Sequence, residues 1–558
     1  MLQGIGVSVG IGIAQAMLWY PPINYASLPH TAAVPQREIV RFEGALENVI
    51  RKNEALSADT ARRIGAAEAA IFDVHAMLLA DDEITAPIRR LIMLQGFSAE
   101  YAVLTCFNSA AKKMDAIEDE YLRQRADDFY NLRDELLREL LGLSYNNASH
   151  LQQPTIIMAH SLAPGDLASI DRSRLAGIAC EIGGYTGHTA IIARNLGVPA
   201  IVGVPFAKMQ AAAGKLAGLD GETGQMWLNP SERELAMLRT RGDALSERRR
   251  TAQQFWGIPS ITLDGHRIEL SANVGQLPEL EDALAADTES VGLFRTELIP
   301  GSEPGHATEE AQFATYKKAV EMLAGKGLTI RTLDIDDNHT GNPALGYRGI
   351  RMSLGRPSVF RTQLRAILRA SAYGNVKILL PMVCTLRELD EAKTAIQNVK
   401  EELRRENIPF DEKIPVGLLV EVPATALLAA TFAKQVDFFS IGMNDLVQFT
   451  LAADRGNPQL ATLFAPAHPA VLRLVQFTIN AAHTSGIPCN ICGDFSQQDI
   501  MLPLFLGLGA NGFSLNTRAI LPARQIVNHS NFASASAAAQ KALELDTAED
   551  VIALLKNG

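Results

Sequence analysis

The chain has 558 residues, more than one hydrophobic core usually organises, so several domains of roughly 150 residues each are expected. Hydrophobic residues at 47% and charged residues at 20% match a globular protein and exclude a disordered or fibrous one. A formal net charge of −11 disfavours a protein that works by neutralising nucleic-acid phosphates and suits a basic protein partner, while local arginine clusters can still hold a small anion in a cleft.

The five cysteines, Cys106, Cys180, Cys384, Cys489 and Cys492, are scattered, which fits a reducing compartment such as the cytoplasm better than a disulfide framework. The opening MLQGIGVSVGIGIAQA lacks a basic flank and reads as strand and turn rather than signal peptide. Nor does any uncharged run approach the ~18 residues that a membrane-spanning helix needs.

After that Gly-rich opening, residues 30–143 are expected to form a helical bundle, because stretches such as AAIFDVHAMLLADDEITAPIRRLIMLQ repeat apolar residues at three and four spacings. Residues 1–29 and 144–228 have a different texture. Short apolar runs (TIIMA, GIACEI, PAIVGV) alternate there with glycines and helical stretches, which predicts an α/β domain into which the bundle is inserted. Residues 229–255 are polar, charged and helix-favouring, with Asn229 or Ser231 available as an N-cap, and are expected to form a linker helix.

From 256 to 558 one pattern repeats: a short apolar run, a polar residue at its end, then an amphipathic helix. The runs are RIELSANV, SVGLFRTE, LTIRTLDI, VKILLPMV, PVGLLVEVP, DFFSIGMND, PCNICGD and NGFSLN. Eight strand–helix units predict a (β/α)8 barrel of the TIM type, with an open doubly wound sheet as the alternative. In the barrel, strand C-termini line one mouth, so Arg295, Asp334, Glu421, Asp445 and Cys492 would all face it.

In the middle domain, GGYTGHTAIIARNLGVPAIVG (183–203) sets His188 in a Gly-rich turn with a helix expected to begin near Thr189, where unpaired backbone N–H groups favour a phosphoryl group. By itself, a histidine in such a loop is more often structural. The segment resembles the phosphohistidine motif of the phosphoenolpyruvate-utilising enzymes, and VGLFRTEL, RTLDI, GYRGIRM, VEVPAT, SIGMNDLVQFTLAADRGN and CGD resemble, in order, the motifs of their barrel. AIFDVHAMLLADDE and DAIEDEYLRQRADD look like the helical region by which the sugar-uptake branch of that family binds the phosphocarrier HPr. The resemblance runs essentially from end to end.

It implies that His188 takes the phosphoryl group and that Cys492 protonates the leaving enolpyruvate. Arg295, Arg331, Arg348, Asn444, Asp445 and Arg455 would hold phosphoenolpyruvate, and Glu421 and Asp445 would hold Mg2+. Glu68, Asp73, Asp81, Asp82 and Glu83 would face HPr or an HPr-like carrier, and the chain would dimerise through the barrel. The assignments make physical sense: a compact trianion needs several permanent cations whose planar forks grip carboxylate or phosphate, and a magnesium ion prefers hard carboxylate oxygens. The Cys489/Cys492 spacing could suggest a metal or redox pair, but a strand would put the two on opposite faces.

Several residues depart from the family pattern: Gly187 stands for Ser, Tyr185 for Arg, Ala163 for Thr, Asp494 for Glu and Met443 for Thr, and the segment DIDDNHTGNPALGYR is short and lacks lysine. The nucleophile, the four arginines, both metal carboxylates and the acid remain, which implies an active enzyme. The alternative is a regulatory paralogue that keeps the fold and binds HPr-like partners without chemistry.

Overall fold

The computed structural model describes every residue except 20–22, 24, 64–65, 116–119, 144–150, 152, 161, 163–171, 182–189, 191–192, 195, 211–212, 298–306, 336–344, 455–459, 461–462, 494–497 and 558. Contacts divide the described residues into two units, one up to Gly242 and the other from Asp243 onward.

In the first unit, strands β1 (Leu2–Gln3), β2 (Ile5–Ser8) and β3 (Ile11–Leu18) precede five helices: α1 (Pro35–Arg63), α2 (Ala66–Ala80), α3 (Asp82–Gln95), α4 (Ala99–Asp115) and α5 (Glu120–Leu140). The apolar run that spans α2 and α3 is broken at Asp81. This residue is extended and its carboxylate accepts the Glu83 N–H at 2.8 Å, so the side chain competes with the helix and starts a new one. Leu79, Ile88, Ile92, Val103, Phe107, Leu132 and Leu136 form the bundle's dry centre.

The chain then returns to the sheet with β4 (Thr155–Ala159), β5 (Leu175–Cys180), β6 (Ala200–Val202), the short α6 (Phe206–Gln210), β7 (Leu216–Asp220) and β8 (Gln225–Leu228). The eight strands lie in the order β1-β8-β7-β3-β4-β5-β6-β2. The central β3-β4-β5-β6 pairs are parallel and the flanking pairs antiparallel. Helix α7 (Glu232–Gln253) follows, started by Ser231, whose Oγ and N–H both donate to Glu234 at 2.7 and 2.8 Å. The boundary between the two units falls inside this helix.

The second unit alternates strand and helix: β9 (Glu269–Val274) and α8 (Leu277–Ala285); β10 (Ser290–Phe294) and α9 (Glu309–Leu323); β11 (Leu328–Arg331), α10 (Ile350–Gly355) and α11 (Pro357–Ser371); β12 (Val376–Leu380) and α12 (Leu386–Arg405). It continues with β13 (Val416–Val420), α13 (Pro423–Leu427) and α14 (Ala429–Phe432); β14 (Phe438–Gly442), α15 (Met443–Leu451) and α16 (Pro469–Ser485); β15 (Cys489–Cys492) and α17 (Gln498–Gly507); β16 (Gly512–Leu515) and α18 (Ile520–His529). Every strand pair is parallel, and β16 pairs with β9, so the sheet closes into the eight-stranded barrel that the repeated pattern predicts. An open doubly wound sheet is thereby excluded.

The barrel is packed, not hollow. A Cβ at Gly417 would lie 2.5 Å from the Phe438 ring, so the small residue admits the large one from the next strand. Leu293, Leu379, Leu419, Phe438 and Cys492 form a separate interior cluster, distinct from the larger core that includes Cys489. The two cysteines of β15 therefore serve different faces, as strand alternation requires.

Candidate active site

All eight barrel strands run the same way, so residues at their C-terminal ends share one rim. Arg331 is the last residue of β11, and Arg348 stands just before α10. Asp334 bridges them. Its Oδ1 accepts from Arg348 Nε at 2.9 Å, and its Oδ2 accepts from Arg348 Nη2 at 2.6 Å and lies 3.0 Å from Arg331 Nη1. Glu297, beyond β10, has Oε2 3.1 Å from Arg331 Nη2, while its Oε1 accepts the Asp334 N–H at 2.8 Å.

Burial alone would lower both guanidinium pKa values, but the surrounding carboxylates outweigh it. Glu297, Asp334 and Glu421 hold Arg331 above its ordinary value, and the Asp334 hydrogen bonds with the Asp334, Asp445 and Glu421 charges do so for Arg348. Both arginines are thus permanent cations. The Nε of Arg331 is buried and makes no hydrogen bond among the described residues, so one donor of its fork is left for an anion.

Glu421 follows β13 directly and is buried; its Oε1 accepts the Met382 N–H at 2.8 Å. Met382 adopts φ 58°, a conformation costing a non-glycine residue about 1–3 kcal/mol, and that strain accompanies a backbone N–H turned onto the carboxylate. Gly442 ends β14, where a Cβ would stand 2.9 Å from Glu421 Oε2, so the carboxylate approaches the backbone just ahead of Asp445. Asp445 lies in the first turn of α15. Its Oδ1 is buried without a hydrogen bond among the described residues, with Arg348 Nη1 3.6 Å away.

Burial first, then the charges of Asp445 and Asp334, push the Glu421 carboxyl well above the usual carboxylate range, against the pull of Arg331 and Arg348. Crowded buried carboxylates of this kind are relieved by a proton or a divalent cation. The donor set, two hard carboxylates of which Asp445 has an oxygen without a hydrogen bond among the described residues, fits Mg2+, which takes one or two carboxylates and fills its remaining positions with water and substrate phosphate. Among the described residues there is no group of three or more His, Cys, Asp or Glu side chains arranged to hold a metal ion, so a closed all-protein cage is not formed there.

Cys492, the last residue of β15, is 3% exposed and packs among Leu293, Leu379, Leu419 and Phe438. Burial pushes its thiol up to about 11; the Glu421 charge adds to this, while the charges of Arg331 and Arg295 oppose it. At neutral pH it carries its proton. Arg295, half-buried just past β10, is anchored by its N–H to the Val274 carbonyl at 2.8 Å. Asn444 is half-buried in the first turn of α15.

Arg455 and His188 lie outside the described residues, as do Ala163, Tyr185, Gly187 and Asp494. Within the bundle, Glu68 falls on α2, and Asp73 and Glu83 are exposed. Asp81 is occupied in capping α3, and Asp82 pairs with Arg89 at 2.9 Å. One carboxylate central to the barrel rim, Glu297, is not singled out from sequence, although it sits inside the quoted VGLFRTEL motif; Asp334 is placed at the mouth by its position but given no role, because the contacts of both join different strands.

The fold and rim together define a barrel enzyme with paired arginines, crowded carboxylates and a buried thiol at one mouth. The sequence agrees with that class: the family described as PEP-utilising enzyme, PEP-binding domain, matches residues 249–532; its N-terminal domain matches 3–125 and its mobile domain 151–224. The chain belongs to the phosphoenolpyruvate-utilising enzymes. It is 37% identical to the phosphoenolpyruvate-protein phosphotransferases of Bacillus sp. (strain S) and Geobacillus stearothermophilus, each over 564 residues covering 100% of this chain and 97% of the relative. It is 36% identical to that of Bacillus subtilis (strain 168), over 100% of this chain and 99% of the relative.

Proposed function

We propose that this chain takes the phosphoryl group of phosphoenolpyruvate onto His188, releases pyruvate, and passes the group to a histidine of HPr or an HPr-like carrier that serves sugar uptake. The observation that carries the reading is the barrel rim, where Arg331 and Arg348 are locked in place by Asp334 beside Glu421, Asp445 and Cys492. Full-length similarity to phosphotransferases of this name supports it. The chain is a transferase.

In this reading Arg295, Arg331, Arg348 and Arg455 grip the carboxylate and phosphate of the substrate, with Asn444 adding a phosphate contact. Glu421 and Asp445 hold Mg2+, which when bound offsets charge on the transferring phosphoryl oxygens. An imidazole nitrogen of His188 forms the new N–P bond as the P–O bond to enolpyruvate breaks. Cys492 then gives its proton to the methylene carbon, and ketonisation makes the step downhill. A buried thiol that stays protonated at neutral pH suits a donor role.

In the division of labour we infer, residues 1–29 and 144–228 form the phosphohistidine domain, 30–143 the HPr-binding bundle, 229–255 the linker and 256–558 the barrel, through which two copies pair; separate matches over 3–125, 151–224 and 249–532 support a chain of distinct N-terminal, mobile and barrel parts. Among the described residues no helix is long and apolar enough to cross a membrane, and we place the chain in the cytoplasm, where phosphoenolpyruvate is at hand.

Labelling with [32P]phosphoenolpyruvate tests the reading. The chain should gain acid-labile label that added HPr removes, and His188→Ala should gain none. A wild-type chain that binds HPr but stays unlabelled would instead be a regulatory protein.

A further inference from the structure

Beneath the rim lies a buried polar chain that none of the assigned roles uses. The Gln363 side chain, on α11, accepts the Leu333 N–H through Oε1 at 3.0 Å. Its Nε2 donates to Thr296 Oγ1 at 3.1 Å and approaches the Tyr316 hydroxyl at 3.4 Å. Thr296 Oγ1 donates in turn to the Arg331 carbonyl at 3.0 Å, and the Tyr316 hydroxyl donates to Gln312 Oε1 at 3.1 Å on the same helix, α9. Because a backbone N–H can meet only the amide oxygen, the orientation of the Gln363 amide is fixed by its partner.

Gln363, Thr296 and Tyr316 are each no more than 1% exposed, so water cannot replace a lost partner. The residues held are the main chain on both sides of Thr332: the carbonyl of Arg331 and the N–H of Leu333. Glu297 fastens the next one, at the N–H of Asp334. One amide on a helix and one hydroxyl on the neighbouring strand's end thereby set the path of the segment that carries the phosphate-gripping arginine and its counter-charge.

We propose that Gln363 is a positioning residue for phosphoryl transfer, acting through Thr296 and the Leu333 N–H to aim Arg331 and Asp334. This rests on the reading of the rim as the phosphoenolpyruvate site. An apolar core residue would fill the same volume, but would leave the 331–334 segment free to shift. A displacement near 1 Å at a catalytic group costs on the order of 10²-fold in rate. A misaimed guanidinium still attracts the substrate anion, yet follows the moving phosphoryl charge poorly, so kcat should fall more than KM rises.

The experiment compares wild-type chain with Gln363→Leu, Gln363→Glu and Thr296→Val in phosphoenolpyruvate-dependent phosphorylation, with thermal melting of each preparation. Wild-type labelling is the control whose failure would strike the rim reading and not this one. Gln363→Leu should lose about 10²-fold in kcat/KM, mostly in kcat. Gln363→Glu keeps the acceptor for Leu333 but can donate to Thr296 only when protonated. Tyr316 faces the new carboxyl from α9, and Arg295, Glu297, Arg331 and Asp334 are the charged groups on the segments it holds. Burial favours its neutral form, so kcat relative to wild type should climb as pH is lowered from 8.5 to 6.5. Thr296→Val guards against a Gln363→Leu chain that fails to fold, and should lower kcat several-fold with little change in KM. A Thr296→Val or a folded Gln363→Leu chain within twofold of wild type in kcat/KM would overturn the proposal. So would a Gln363→Glu chain whose pH profile parallels wild type.

Discussion

Replacing Asp334 by Asn tests whether the rim works by the aim of its cations or merely by their number. The side chain of Asp334 is 0% exposed and takes contacts of 2.9 and 2.6 Å from Arg348 and 3.0 Å from Arg331. An amide of the same shape keeps one acceptor oxygen but turns an NH2 toward a guanidinium. Among the described residues Arg331 retains Glu297 at 3.1 Å, whereas Arg348 retains only Asp445 at 3.6 Å, so the loss falls mainly on Arg348. Removing one partner of a buried pair costs about 3–5 kcal/mol of stability. If even ~3 kcal/mol of that appears in the transition state, kcat/KM drops roughly 10²-fold. The assay is phosphoenolpyruvate-dependent phosphorylation, with a denaturant titration on the same protein to separate unfolding from misalignment. Were net positive charge the deciding quantity, the substitution would raise affinity for the trianion. A folded Asp334→Asn chain with unchanged or higher kcat/KM would refute the reasoning.

Cys492 should be alkylated by iodoacetamide at a rate that climbs about tenfold per pH unit from pH 7 to 10, because burial holds its thiol protonated to about 11; site-resolved mass spectrometry showing a plateau near pH 8.5 would contradict this. Glu421→Gln and Asp445→Asn should each abolish labelling that depends on a divalent cation, as chelation should in the wild type, and labelling that persists without divalent ions would give these carboxylates another role. Asp81→Ala should destabilise α3 by about 0.5–2 kcal/mol, read as a lower melting temperature of the bundle, because it removes the cap of that helix. Neutralising exposed Asp73 and Glu83 together should slow transfer to HPr far more than self-phosphorylation, with a weaker salt dependence, and equal effects on both would place the acceptor elsewhere.

Much of the architecture was legible because its signals are local. The barrel strands are buried on both faces, packed inward on one side and against helices on the other, so LTIR, VGLLV and FFSIG read as short, mostly apolar runs with a polar residue or helix start after each. Once the runs are strands of a parallel barrel, chain direction alone gathers Arg331, Glu421 and Cys492 on one rim. The split of Cys489 from Cys492 follows from alternation in the same way. The break between α2 and α3 was less plain, since apolar spacing continues across Asp81 and only the cap geometry shows where one helix stops.

What sequence could not determine is which charge answers which. Asp334 and Arg348 are separated by 14 positions, Leu333 and Gln363 by 30, and Met382 and Glu421 by 39, and each pair meets because strands and helices far apart in the chain close round one barrel. Periodicity reports the face a residue occupies; it carries no record of the partner across that face. Hydrogen bonds and buried charges depend on distances of a few ångströms, and those are set only when the last strand, β16, pairs with the first, β9.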